Sequence, residues 1–111
     1  MTKTAQNFTM WSGDSKLIQV MVTDSAGNSV ALAGATIEYV IKDSVNGTTR
    51  VSKSTSNGIT ISGNTFTITL DPADTAGLSG QYYHEAQITD VAGNVSTALV
   101  GNIVINEDAI V

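Results

Sequence analysis

The 111-residue sequence contains no cysteine. That excludes a disulfide framework, a thiolate metal site and a cysteine nucleophile. It holds one histidine, His84, one arginine, Arg50, and four lysines, so most side chains used in acid–base and phosphate chemistry are scarce. Ten acidic residues bring the net charge to -5, which makes nucleic acid or an anionic membrane a poor partner. Charged residues make up 14% of the chain, against about 25% in an ordinary domain. Apolar runs are only a few residues long, as at Leu99-Val100, too short to span a bilayer. The opening stretch from Met1 to Asn7 is polar, with no secretory signal. We therefore expect no membrane insertion and a chain that stays in the cytoplasm or joins an assembly made there. The length fits a single domain over residues 1–111. A chain of this size buries roughly 65% of its unfolded surface, enough to fold without covalent staples.

What the sequence has in quantity is Thr, Val and Ile, while Leu occurs only five times. Branched side chains pack well on a pleated surface, so strands are favoured over helices. Period-two alternation agrees. Ile18, Val20 and Val22 share one face, with Gln19 and Thr23 opposite. Ile37, Tyr39 and Ile41 alternate with Thr36, Glu38 and Lys42. Phe66, Ile68 and Leu70 alternate with three threonines. Tyr82, His84, Ala86 and Ile88 alternate with Tyr83, Glu85, Gln87 and Thr89, and Ile103 and Ile105 end the series. Weaker strands are expected at 8–11, 48–54 and 59–62. Turn signals such as Ala26-Gly27-Asn28, Asn57-Gly58 and Ala92-Gly93-Asn94 separate them at short spacing. The pattern predicts an all-β antiparallel sandwich of about 7–8 strands, with a small barrel as the alternative. One short helical turn is expected within 71–78, where Asp71-Pro72 supplies an N-cap and a first-turn proline.

Two segments echo each other: Thr23-Asp-Ser-Ala-Gly-Asn28 and Thr89-Asp-Val-Ala-Gly-Asn94. A second, looser echo pairs 31–34 with 98–101. Two copies of one hairpin turn would explain both. Asp24 with Asn28, and Asp90 with Asn94, offer too few oxygens for calcium, so turn capping is the better account. Asp71 and Asp74 have the spacing of an N-cap and its third helical residue rather than of an acid pair. His84 shares a strand face with Tyr82 and Ile88, which predicts a packed core histidine, and Tyr82 should be largely buried beside it. A lone histidine does not anchor a typical zinc site. No phosphate-binding glycine loop or nucleophile elbow is present. No catalytic residue, cofactor or metal is expected. Trp11 and Tyr83 are the candidate partner-binding residues, because exposed aromatics favour contact surfaces. Trp11, Tyr39 or Tyr83 would serve a carbohydrate-binding module. The 48–54 segment is the expected sheet edge, guarded by Arg50 and Lys53.

The run Leu78-Ser-Gly80-Gln-Tyr82-Tyr-His84 resembles the tyrosine corner of immunoglobulin-like sandwiches, with His84 at the inward position. A longer pattern covers nearly the whole chain. It runs through Gly13-Asp14, Asp24-x-x-Gly27-Asn28, Leu32-x-Gly34 and Ile41-Lys42. It continues with Ile68-x-Leu70, Asp74-Thr75, Leu78-x-Gly80-x-Tyr82-x-x-Glu85, Gly93-Asn94, Gly101 and Ile103-x-Ile105. In order and spacing it resembles the immunoglobulin-like domains of tailed-phage virions, notably the N-terminal domain of upper baseplate proteins that hold receptor-binding proteins. That resemblance implies a non-enzymatic structural protein of a tail, baseplate or capsid-associated assembly. It further implies protein–protein contacts with other virion proteins, compatible with a homo-oligomer, and assembly of the virion in the bacterial host cytoplasm. A bacterial adhesin or surface-repeat domain is the alternative, followed by a carbohydrate-binding module.

Overall fold

A computed structural model describes residues 4–24 and 26–107. Nine strands and one helical turn follow in order: β1 (Thr4–Ala5), β2 (Phe8–Trp11), β3 (Lys16–Met21), β4 (Thr36–Lys42), β5 (Thr49–Ser54), β6 (Ile59–Ser62), β7 (Thr65–Leu70), α1 (Pro72–Thr75), β8 (Gly80–Thr89) and β9 (Val95–Asn106). They form two sheets. One runs β1-β9-β8-β4-β5, with β2 also on β9, and the other runs β3-β7-β6. The alternation read from the sequence sets the inward faces. Ile18 and Val20 of β3, Ile37, Tyr39 and Ile41 of β4, and Phe66, Ile68 and Leu70 of β7 are all buried, and they meet His84, Ala86 and Ile88 of β8 in one core. The fold is an all-β sandwich with immunoglobulin-like strand order.

The first strand departs from the antiparallel expectation. β1 and β2 both lie parallel to β9, with Thr4 opposite Leu99 and Phe8 opposite Ile103. The ladder breaks between them at Gln6 and Asn7, and the Asn7 side chain mends it by accepting the Asn102 N–H at 2.8 Å. Counted as one interrupted strand, they bring the total to eight.

The helical turn is shorter than the expected region. α1 covers four residues, and Asp74 Oδ2 accepts the Asp71 N–H at 2.7 Å. Buried Thr75 ties it to the β2–β3 turn: its Oγ1 accepts the Gly13 N–H at 2.9 Å.

The first sequence echo is structural. Asp24 Oδ1 accepts the N–H groups of Ala26 and Asn28, and Asp90 Oδ1 accepts those of Ala92 and Asn94. The second echo is not. Residues 31–34 form a turn, whereas 98–101 lie within β9.

Tyr82 makes the tyrosine corner. Its O–H donates to the Ser79 carbonyl at 3.0 Å and its oxygen accepts the Ser79 N–H at 3.1 Å. Its ring packs against the core as expected, short of complete burial, because the hydroxyl reaches a corner that lies at the surface.

Candidate functional site

His84 is the most chemically capable side chain in the protein, and the fold consumes it. It is completely buried on β8. Its Nε2 lies 2.7 Å from the Gln6 carbonyl oxygen, which can only accept. That bond therefore places the proton on Nε2 and leaves Nδ1 as an acceptor. Tyr39 supplies the donor from β4, with its oxygen 3.0 Å from Nδ1. Phe8 and Tyr39 both set ring edges against the imidazole, with centroids 5.5 and 5.7 Å away. Burial holds the imidazole below its ordinary pKa, against the opposing pull of the Gln6 carbonyl. Burial also pushes the Tyr39 phenol far above its usual range. The arrangement is a neutral, doubly satisfied imidazole that joins the first strand to the sheet centre.

Close packing around it demands a glycine. A Cβ on Gly101, opposite His84 on β9, would collide with the Gln6 carbonyl and the imidazole Nε2.

Four of the acidic residues are likewise engaged. The Asn28 N–H holds the Asp24 carboxyl below its usual range, against desolvation, with further bonds from Ala26 and the Asn28 side chain. The Asn94 N–H does the same for Asp90. Arg50 grips Asp43 through two bonds of 2.8 and 3.0 Å and lowers its pKa. Lys53, expected to guard the edge from outside, points inward instead. It is 7% exposed, and its Nζ pairs with Asp74 at 2.8 Å. Among the described residues, no group of three or more His, Asp or Glu side chains is placed to hold a metal, and no helix is long and apolar enough to cross a membrane.

One surface available for contact is the outer face of the five-stranded sheet. Trp11 ends β2 and is 54% exposed. Tyr83 points outward from β8, half-buried, and its O–H donates to Glu85 Oε1 at 2.8 Å. Both sequence candidates thus lie on one face, but they do not form one cleft. Trp11 pairs with Asn106 and Tyr83 with Asn102, on opposite flanks of β9. They are offset by about 13 Å along that strand at the usual rise per residue. A hollow of about 200 Å³ lies between Tyr83, Asn102 and the Asp43–Val45 turn. Tyr39, the third aromatic considered for sugars, is fully buried in the core and faces no ligand; its phase on β4 matches Ile37 and Ile41.

The sequence pattern did not single out two further exposed residues. Leu17 and Met21 occupy the outward phase of β3 and are 66% and 65% exposed. The signal was present, since both are apolar where the alternation calls for polar residues.

No family model matches the chain, and no curated protein sequence matches it. Solved structures do. CopC from Methylosinus trichosporium OB3b superposes with a TM-score of 0.53 at 14% identity, covering 93% of this chain and 86% of that one. Murine CRIg superposes at 0.37 with 15% identity, covering 94% and 92% respectively. The V domain of amphioxus IgVJ-C2 gives 0.37 with 17% identity, covering 88% and 98%. The CopC likeness concerns the fold, over nearly the whole of this chain.

Proposed function

We propose that this domain is a non-enzymatic interaction module of a phage or prophage particle, assembled in the host cytoplasm and docked to other virion proteins. One observation carries the non-enzymatic part. The single histidine and several of the charged groups are committed to the fold: both His84 nitrogens are bonded, Lys53 is paired with Asp74, and Asp24 and Asp90 cap their turns. The outer sheet face, by contrast, leaves Trp11 and the rim of Tyr83 available. The same face also carries Glu38, Lys42, Arg50 and Glu85, and exposed aromatics beside a charged rim suit protein contact. The virion assignment rests on the ordered sequence pattern from Gly13-Asp14 to Ile103-x-Ile105.

Mass spectrometry of purified particles from the source phage or induced prophage tests it. Recovery in stoichiometric amounts supports the reading. Absence from particles, with recovery on the cell surface, transfers the case to an adhesin.

A further inference from the structure

Among the described residues, β3 is an edge strand with an open side. It is one border of the three-stranded sheet, and it pairs with β7 over six consecutive positions without a bulge. In an antiparallel ladder, alternate residues turn both backbone groups to the same side. The Val22 N–H donates to the Asn64 carbonyl beyond the β7 end, so even-numbered residues serve β7. Leu17, Gln19 and Met21 therefore aim their N–H and C=O groups away from the sheet. The Gln19 carbonyl shows this directly: it accepts a bond from Gln6 Nε2 at 3.0 Å, from outside its own sheet.

Those three residues also carry the exposed side chains of β3. The rest of that outer face is Thr60, Ser62, Thr65, Thr67 and Thr69. No outward side chain there is charged, and Gln19, Met21, Ser62, Thr65 and Thr67 line a shallow hollow of about 320 Å³. The opposite sheet's edge is built differently. β5 carries a buried Lys53 and an Arg50–Asp43 ion pair, the kind of charge that discourages strand pairing. β3 has Lys16 alone, and its ammonium sits 4.5 Å over the Phe8 ring.

We infer that the open edge of β3 pairs with β3 of a second copy of this chain, antiparallel about a two-fold axis through Gln19. The strand is self-complementary about that residue. Gln19 faces its own counterpart, and Leu17 faces Met21 of the other copy at both ends, on one continuous six-stranded outer face. Three pairs of outward backbone groups would exchange roughly six hydrogen bonds. Charge favours this place for self-association. Each copy carries a net charge of -5, and this sheet face presents no acid to its twin. The cost is one side-chain rotation, since Gln6 Nε2 must leave the Gln19 carbonyl. The interface is small, so the dimer is a weak one. It uses a different surface from the Trp11 and Tyr83 face and does not depend on the virion reading.

Sedimentation velocity of the whole chain, from about 10 μM to about 1 mM, tests the inference. The expected result is a monomer–dimer equilibrium. Gln19→Pro removes an outward N–H and the exposed Gln19 side chain, neither of which serves β7, and proline is tolerated where a strand's N–H faces open space. It should weaken the dimer at least tenfold while circular dichroism stays unchanged. Leu17→Lys should weaken it similarly, whereas Val95→Lys, on an exposed residue elsewhere, should leave it intact. A monomer throughout that range overturns the inference, as does a dimer indifferent to both β3 variants. A chain that stays monomeric, but whose capture by a particle protein is lost with Gln19→Pro, also overturns it and assigns the edge to a partner's strand.

Discussion

The Tyr39 hydroxyl lies 3.0 Å from His84 Nδ1, joining the centres of β4 and β8 by a side-chain bond inside the core. Neither polar group reaches water, so each depends on the other for its partner. Replacing Tyr39 with Phe keeps the ring packing and removes the donor. We expect a loss of about 1 to 2 kcal/mol, the usual cost of stranding a buried acceptor. Urea unfolding measures it, and an unchanged midpoint would show that water replaces the hydroxyl.

The same imidazole predicts an acid limb in the stability profile. Unfolded, His84 titrates near its ordinary value of about 6.5; folded, burial holds it lower. Between those two values the unfolded chain binds more protons, so stability rises with pH. The contribution is complete above about pH 6.5 and drains away as pH falls towards the folded value. Asp24, Asp43, Asp74 and Asp90 are all shifted down, and their contribution is lost only below about pH 4. Denaturation between pH 8 and 5 should therefore show a slope that His84→Gln abolishes. A flat wild-type profile over that range would refute the assignment.

The Lys53–Asp74 pair fastens edge strand β5 to α1. Burial opposes ionisation of Asp74, but bonds from Lys53 and the Asp71 N–H outweigh it and hold the carboxyl below its usual range. Asp74→Ala leaves the buried Lys53 ammonium with only the more distant Asp71 carboxylate, 4.0 Å away, and should cost about 3 kcal/mol, towards the low end for a broken buried pair. Lys53→Met keeps the aliphatic stem and should cost under about 1 kcal/mol, with much of the Asp74→Ala loss recovered in the double variant. Thermal midpoints of the three variants decide it. Equal losses for both single variants would mean that the pair, rather than the stranded charge, sets the energy.

Gly101→Ala should displace the first strand. The added methyl meets the Gln6 carbonyl and the His84 ring, and overpacking of this kind costs about 1 to 3 kcal/mol. Hydrogen exchange is the sharper readout. The Gln6 N–H, bonded to Val100 at 3.0 Å, should lose protection before the β4–β8 amides do. Uniform loss of protection would place the damage in the whole sheet.

Alternation and turn chemistry are local properties, and they were legible in the chain. Phe66, Ile68 and Leu70 on one side of β7 and His84 inward on β8 follow from a two-residue period. The twin turns at Asp24 and Asp90 follow from side chains that bond amides two and four residues on. Even the Tyr82 corner spans only three residues. The third dimension decided what depends on distant partners. Whether β2 joins β9 or β3 is a choice between edges, and the contacts that accompany it are remote in sequence, among them the bond between Gln6 and a histidine 78 positions later. Lys53 reads as an exposed strand residue until α1 brings Asp74 beneath it. Tyr39 loses its surface role and the odd-numbered face of β3 gains one for the same reason. A strand's period fixes which residues share a face, but which face is covered and which edge stays open is settled only when remote segments pack against each other.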